Sequence, residues 1–308
     1  MRSVIEAITD ELRRRKAAGE KTVEVSDEGL DALRRVVEAR QPAAAAPASA
    51  EAPESRPAAG AATHAAPAPR HRAGAAPAPA LRPPEFTLPE GDKAARWQAL
   101  REIVLGNAVC KAHVRPGKKV VFGVGNLDAR IMFVGEAPGA DEEVQGEPFV
   151  GPAGQLLNRM IKATGLERGD VYIGNVMNWR PELPPRADGA QVGNREPNAD
   201  EMAFCLPFLI GQIEIVSPAV VVALGATAAR GLLGAHTFRS LGEVRGRWHD
   251  FNGRPLRVTY HPSYLLRKEQ DGPVQSNRAK RAAWEDFLAV MERAGMPISD
   301  KQRNYFLR

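Results

Sequence analysis

Cysteine is almost absent from this chain of 308 residues: Cys110 and Cys205 are its two. That excludes a disulfide framework as the source of stability and points to a reducing compartment. Aromatic residues are scarce as well, at 6%. No apolar run is long enough to cross a bilayer, and no apolar stretch follows Met1-Arg2-Ser3, so neither a membrane span nor a secretory signal is expected. The phosphate-loop pattern, Gly and four residues before Gly-Lys-Ser/Thr, is lacking, and so is any internal repeat. These absences lead us to expect a soluble, cytoplasmic, monomeric protein without a membrane partner.

What is present is ordinary core material, 44% hydrophobic, and a formal net charge of +5. The charge suits a polyanionic partner without identifying one. Residues 1–40 read as two short helices, one carrying Val4, Ile5, Ile8 and Leu12, the other capped by Ser26 and carrying Leu30, Leu33, Val36 and Val37. The pair is too small for a core of its own, so it is an appendage or a segment that binds a protein partner. Residues 41–91 are rich in Ala and Pro, with Arg70, His71, Arg72 and Arg82 interspersed. We read them as a disordered linker; a tether whose arginines touch DNA is the alternative. The folded domain is expected over 92–295, with a tail over 296–308.

Within that domain, β and α patterns alternate. A helix around Trp97, Leu100, Ile103 and Val104 ends at Gly106. Strands are expected at 120–122, 130–134, 171–176 and 219–224, and helices at 153–164, 226–233 and 277–293. Asn198 with Glu201 makes a capping box for a helix reaching about residue 216. Residues 244–251 and 256–260 form a hairpin across Asn252-Gly253. The alternation implies a mostly parallel sheet between helical layers.

In such sheets ligands bind beyond the carboxyl ends of the strands. There the sequence places Gly135-Glu136, Asn175, Gly225-Ala226-Thr227 and His261. Each alone is ordinary turn chemistry; together at one edge they can read a polar planar ligand. The stretch from 135 to 151, GEAPGADEEVQGEPFVG, fixes turns and lets backbone N–H groups approach a ligand. Phe149 within it is either a hydrophobic anchor for the loop or a stacking platform for a base.

The 135–151 loop, the following Pro152-Ala153-Gly154-Gln155-Leu156-Leu157, the segment 175–181 and His261-Pro262-Ser263-Tyr264-Leu265-Leu266-Arg267 together resemble the family-4 uracil-DNA glycosylases, over roughly residues 95–293. The resemblance implies a three-layer α/β/α sandwich with a short, mostly parallel central sheet. It also implies excision of uracil from DNA in base excision repair, by hydrolysis of the N-glycosidic bond after base flipping. On that reading Gly135, Glu142, Phe149 and Asn175 bind uracil. Asn175 pairs with N3–H and O4, Phe149 stacks on the base, and Glu142 crowds C5 against thymine. His261 donates toward O2 of the leaving anion, and Glu136 positions the attacking water. Leu265, Leu266 and Arg267, in a wedge loop, and Thr227 contact DNA. Arg245, Arg247, Arg278, Lys280 and Arg281 add charge or form a solvated face.

Two departures stand out. The family holds a 4Fe–4S cluster on four cysteines, whereas the matching positions here are Asn107, Cys110, Trp179 and Cys205. No cofactor is therefore expected, the alternative being a degenerate cluster involving Cys110 and Cys205. The loop 182–196, with Pro184, Pro185, Arg186, Asp188 and Gly189, is longer than a proline turn and carries no histidine for covalent attachment to DNA. The competing function is a module that binds uracil or damaged DNA without turnover.

Overall fold

Strands β2 (Ile131–Gly135), β3 (Tyr172–Asn175), β4 (Val220–Leu224) and β6 (Arg254–Thr259) are parallel and form the centre of a six-stranded sheet of order β1-β3-β2-β4-β6-β5. Two short antiparallel edges close it, β1 (Val124–Gly125) on β3 and β5 (Trp248–Phe251) on β6. This computed structural model describes residues 81–183, 191 and 193–307. The appendage expected over 1–40, most of the linker expected over 41–91, and the middle of the 182–196 loop lie outside these residues.

Alternation along the strands builds two cores. Met132, Val134, Tyr172, Val221, Ala223, Leu256 and Val258 face one side, under helices α1 (Lys93–Gly106), α5 (Ala199–Val216) and α6 (Ala226–Leu233). Ile131, Phe133, Ile173, Val220, Val222 and Leu224 face the other, under α4 (Pro152–Ala163) and α9 (Pro273–Arg293). The expected three-layer sandwich is therefore present. The α5 capping box forms as read: the Asn198 side chain accepts from Glu201 N–H and the Glu201 carboxylate from Asn198 N–H. The hairpin turn also forms, with Asn252 and Gly253 both left-handed, at φ of 51° and 77°.

Several expectations change. Residues 120–122 are buried but unpaired in the sheet; Val121 N–H instead donates to the Asn178 carbonyl at 2.8 Å. Within 244–251, the end of a short helix α7 (Leu241–Val244) and a turn at Gly246 come first, so β5 starts only at Trp248. The 135–151 loop contains a helix, α3 (Ala140–Gln145), and the wedge segment is helix α8 (Pro262–Lys268) rather than a loop. The domain also begins before Asp92. Leu81, Phe86 and Leu88 pack on the core, and Phe86 stacks on Phe208 with ring centroids 5.5 Å apart. At the other end the tail is docked: Trp284 Nε1 donates to the Gln302 carbonyl, and Gln302 to that of Ala163. No helix among the described residues is long and apolar enough to cross a membrane.

Candidate active site

Strand register brings the unusual residues together. Gly135 lies opposite Asn175, and Leu224 opposite Thr259, so the segments that follow all leave the same edge of the sheet. Gly225, at a φ of 94°, leaves space for His261: a Cβ there would stand 3.0 Å from the His261 Cβ. Between these segments opens a cavity of about 220 Å³, lined by Phe149, Asn175, Asn194, His261, Ser263 and the stretch around Gly139–Glu142.

The floor is preset for an amide-reading ligand. Asn175 is buried, and its Oδ1 has no hydrogen-bond partner, so a bound donor is the natural means of satisfying it. Gly135 is glycine of necessity, since a Cβ would fall 2.3 Å from Asn175 Oδ1 and 2.5 Å from the Phe149 ring. Phe149 has a left-handed backbone, with φ of 55°, an unfavourable state for a non-glycine residue. Arg168 holds it there, donating to the carbonyls of Phe149 and Pro148 at 3.2 and 2.6 Å. Arg168 carries no local sequence signal for this role.

The Glu142 carboxylate accepts from the N–H groups of Gly139, Val150 and Gly151. It lines the cavity, yet its oxygens are engaged in closing the loop. Asn194, which sequence reasoning passed over, reaches the cavity from the far end of the long 182–196 loop. Its Oδ1 accepts from Arg180 Nε at 2.8 Å, leaving the amide nitrogen on the side of Gly139. Arg180, nearly fully buried, also binds the Gly193 carbonyl and the Glu143 carboxylate of α3, tying the two loops together.

His261 caps α8, with Nδ1 accepting from Ser263 N–H at 3.1 Å. A backbone N–H only donates, so Nδ1 is the acceptor, and in the neutral ring the proton sits on Nε2. Burial lowers the imidazole pKa to about 4, the Arg267 charge adding to the effect. The ring is thus neutral near pH 7, beside Phe149 with centroids 5.6 Å apart.

Glu136 lies just outside the cavity lining. Burial raises its pKa; the nearby Thr227 hydroxyl and Arg230 charge lower it, while the Glu196 charge raises it. The Thr227 hydroxyl itself donates to Glu196 at 2.7 Å, and Arg230 donates to the same oxygen. Thr227 is therefore not presented to a phosphate, and the carboxylate beside it would repel one. Leu265 also departs from the wedge expectation. It is buried against Leu156, Ala279 and Ala283 as the anchor of α8, with half-buried Leu266 packed at the edge of the same cluster and Arg267 exposed. Among the basic residues, Arg245 is drawn into an ion pair with buried Asp286, Lys280 pairs with Glu269 and Arg281 with Glu285.

The four positions that match the cluster cysteines do not fit an iron–sulfur group. Asn107 caps the short helix α2 (Ala108–Ala112), accepting from Val109 and Cys110 N–H. Trp179 occupies the interior, stacked on His113 at 4.8 Å and packed on Phe204 at 5.8 Å. Cys110 and Cys205 are buried free thiols, and two thiols fall short of the four that such a cluster takes from one chain.

A family model described as the uracil DNA glycosylase superfamily matches residues 122–288. The chain belongs to the uracil-DNA glycosylase superfamily. Within it, the chain is similar to the type-4 uracil-DNA glycosylase of Thermotoga maritima, 43% identical over 179 residues, which are 58% of this chain and 84% of that protein. It is likewise similar to the type-4 enzymes of Pyrobaculum aerophilum (40% identical, covering 56% of this chain and 85% of the relative) and Archaeoglobus fulgidus (40%, covering 49% and 73%).

Proposed function

We propose that this protein excises uracil from DNA, hydrolysing the N-glycosidic bond and leaving an abasic site; the relatives it resembles are named type-4 uracil-DNA glycosylases. The observation that carries the reading for this chain is buried Asn175, with an unpartnered Oδ1, in the wall of a cavity of about 220 Å³ beside Phe149. Oδ1 accepts uracil N3–H while the amide N–H donates to O4. Cytosine presents the reverse pattern, and leaving those buried groups unpaired costs about 1–3 kcal/mol each. Phe149 stacks on the flipped base, and the geometry of the loop that carries it is fixed by Glu142 and Arg168.

As the C1′–N1 bond breaks, its electron pair passes to uracil N1 and the charge spreads to O2. The Nε2–H of neutral His261 donates to O2 and stabilises this anion without transferring its proton. Glu136, beside the base cavity, orients the water that attacks C1′ and takes its proton; its raised pKa suits that task. Leu266 and Arg267 enter the space the base vacates. A cytoplasmic location fits two buried free thiols and a DNA substrate. No step requires an iron–sulfur group.

A labelled oligonucleotide with one uracil, treated with protein and then alkali, tests the reading. Wild type is expected to cleave with turnover. Asn175→Ala and His261→Ala are each expected to lose about a hundredfold or more in rate. Tight uracil-dependent binding without released uracil would overturn the enzyme in favour of a recognition module.

A further inference from the structure

A second cavity is larger than the base pocket. It is an open cleft of about 660 Å³ whose wall includes Gln145, Gly146 and Glu147, at the C-terminal end of α3. The N-terminal half of the same helix lines the base cavity. Six residues of helix, at ~1.5 Å each, put the two cavities about 9 Å apart.

The cleft has a chemical character of its own. Five cations line it (Arg101, Lys111, Arg115, Lys118 and Lys119) against one carboxylate, Glu147. Arg115 is committed to buried Glu143, and the Lys119 amine reaches the Gln145 carbonyl. Arg101, Lys111 and Lys118 make no ion pair among the described residues. The apolar part of the lining is half-buried Trp97, Leu105 and Val114, with Val120 and Phe122 buried behind them, and Arg101 lies over the Trp97 ring at 5.9 Å. Such cations beside such a lining complement a chain of phosphates carrying flat apolar bases. An acidic peptide would match the cations but leave the apolar lining unused.

We propose that this cleft holds the single-stranded flank of the DNA whose uracil occupies the base pocket. Phosphates rest on Arg101, Lys111 and Lys118, and an unstacked base lies against the apolar lining. The ~9 Å offset puts the contact a few nucleotides or fewer from the uracil. The substrate role rests on the proposed uracil excision; the strand-binding role does not.

The test is the triple variant Arg101→Ala, Lys111→Ala, Lys118→Ala, with thermal melting to verify the fold. Binding to a long single strand, with and without uracil, is followed as salt is raised. A single-strand contact contributes about 0.7 to the slope of log affinity against log salt, so losing three is expected to lower it by about 2. Affinity at low salt is expected to fall about tenfold, and the gap to narrow as salt rises. Excision from the long strand is expected to fall more than excision from a uracil-centred trinucleotide too short to pass α3. An unchanged slope overturns the proposal, as does equal loss on both substrates. Acidic-peptide binding that the variant loses, together with an unchanged DNA slope, would assign the cleft to a protein partner instead. If wild type releases no uracil yet the slope still falls, the excision reading fails and strand binding stands.

Discussion

Asn175 and Trp179 leave the end of β3 four residues apart, and each carries a buried polar atom without a partner: Asn175 Oδ1 and Trp179 Nε1. Their surroundings differ. Asn175 lines a cavity beside an aromatic ring and an imidazole, whereas Trp179 is packed in the interior against His113 and Phe204. An orphan atom facing a cavity is a binding determinant awaiting its ligand. An orphan atom in close packing is a cost, about 1–3 kcal/mol, offset by the area its ring buries. The same strand end thus places one residue in the wall of a cavity and, four residues on, another in the hydrophobic core.

The sharpest test of that contrast is Trp179→Ala. It should cost about 3–5 kcal/mol by opening a cavity, lowering Tm by roughly 10 °C, while the rate of excision by protein that remains folded changes little. Trp179→Phe, which removes the orphan donor and keeps most of the bulk, should cost under about 1.5 kcal/mol. Calorimetry beside an excision assay reads both; a rate loss in Trp179→Ala matching that of a pocket variant would dissolve the distinction.

Gly135→Ala probes the other half. Its Cβ would displace Asn175 or Phe149 by collision at 2.3–2.5 Å. A misplacement on that scale is expected to lower excision about a hundredfold, with a smaller change in Tm than Trp179→Ala gives. Wild-type kinetics in this variant would mean that the floor is not preset.

The smallest effect concerns pH. With the folded His261 pKa near 4 and the unfolded value near 6.5, the unfolded chain binds more protons between those values. His261 therefore favours folding fully above about pH 6.5, and this contribution is lost as pH falls toward 4. His261→Gln should flatten that part of the curve of stability against pH, measured by denaturant unfolding. Excision should show no histidine limb between about pH 5.5 and 8; a limb near 6.5 would place the charged imidazole in the mechanism.

Periodicity and capping made the long elements legible. The Asn198–Glu201 box, the apolar run of β4 and the end of α1 at Gly106 are local signals that packing only reinforced. The wedge was misread because Pro262 follows a histidine, and a histidine is not among the preferred N-caps; His261 serves because its Nδ1 is aimed by Gly225 and Ser263. Residues 120–122 are apolar enough for a strand but find their partner in Asn178, outside the sheet. Leu265 and Leu266 are adjacent and chemically identical, so nothing local says that one is fully buried and the other only half.

Residue type and order by themselves determined the alternating fold, the strand-end placement of Gly135, Asn175 and His261, and the impossibility of four thiolates around one cluster. Those depend on short-range periodicity and on which atoms exist. Tertiary structure decided which of those atoms are free: it engaged Thr227 with Glu196 and Glu142 with three amides, brought Asn194 and Arg180 across a long loop, and left Asn175 Oδ1 unpaired. Hydrogen-bond satisfaction and burial are properties of neighbours distant in sequence, and they exist only once the sheet has set which segments meet.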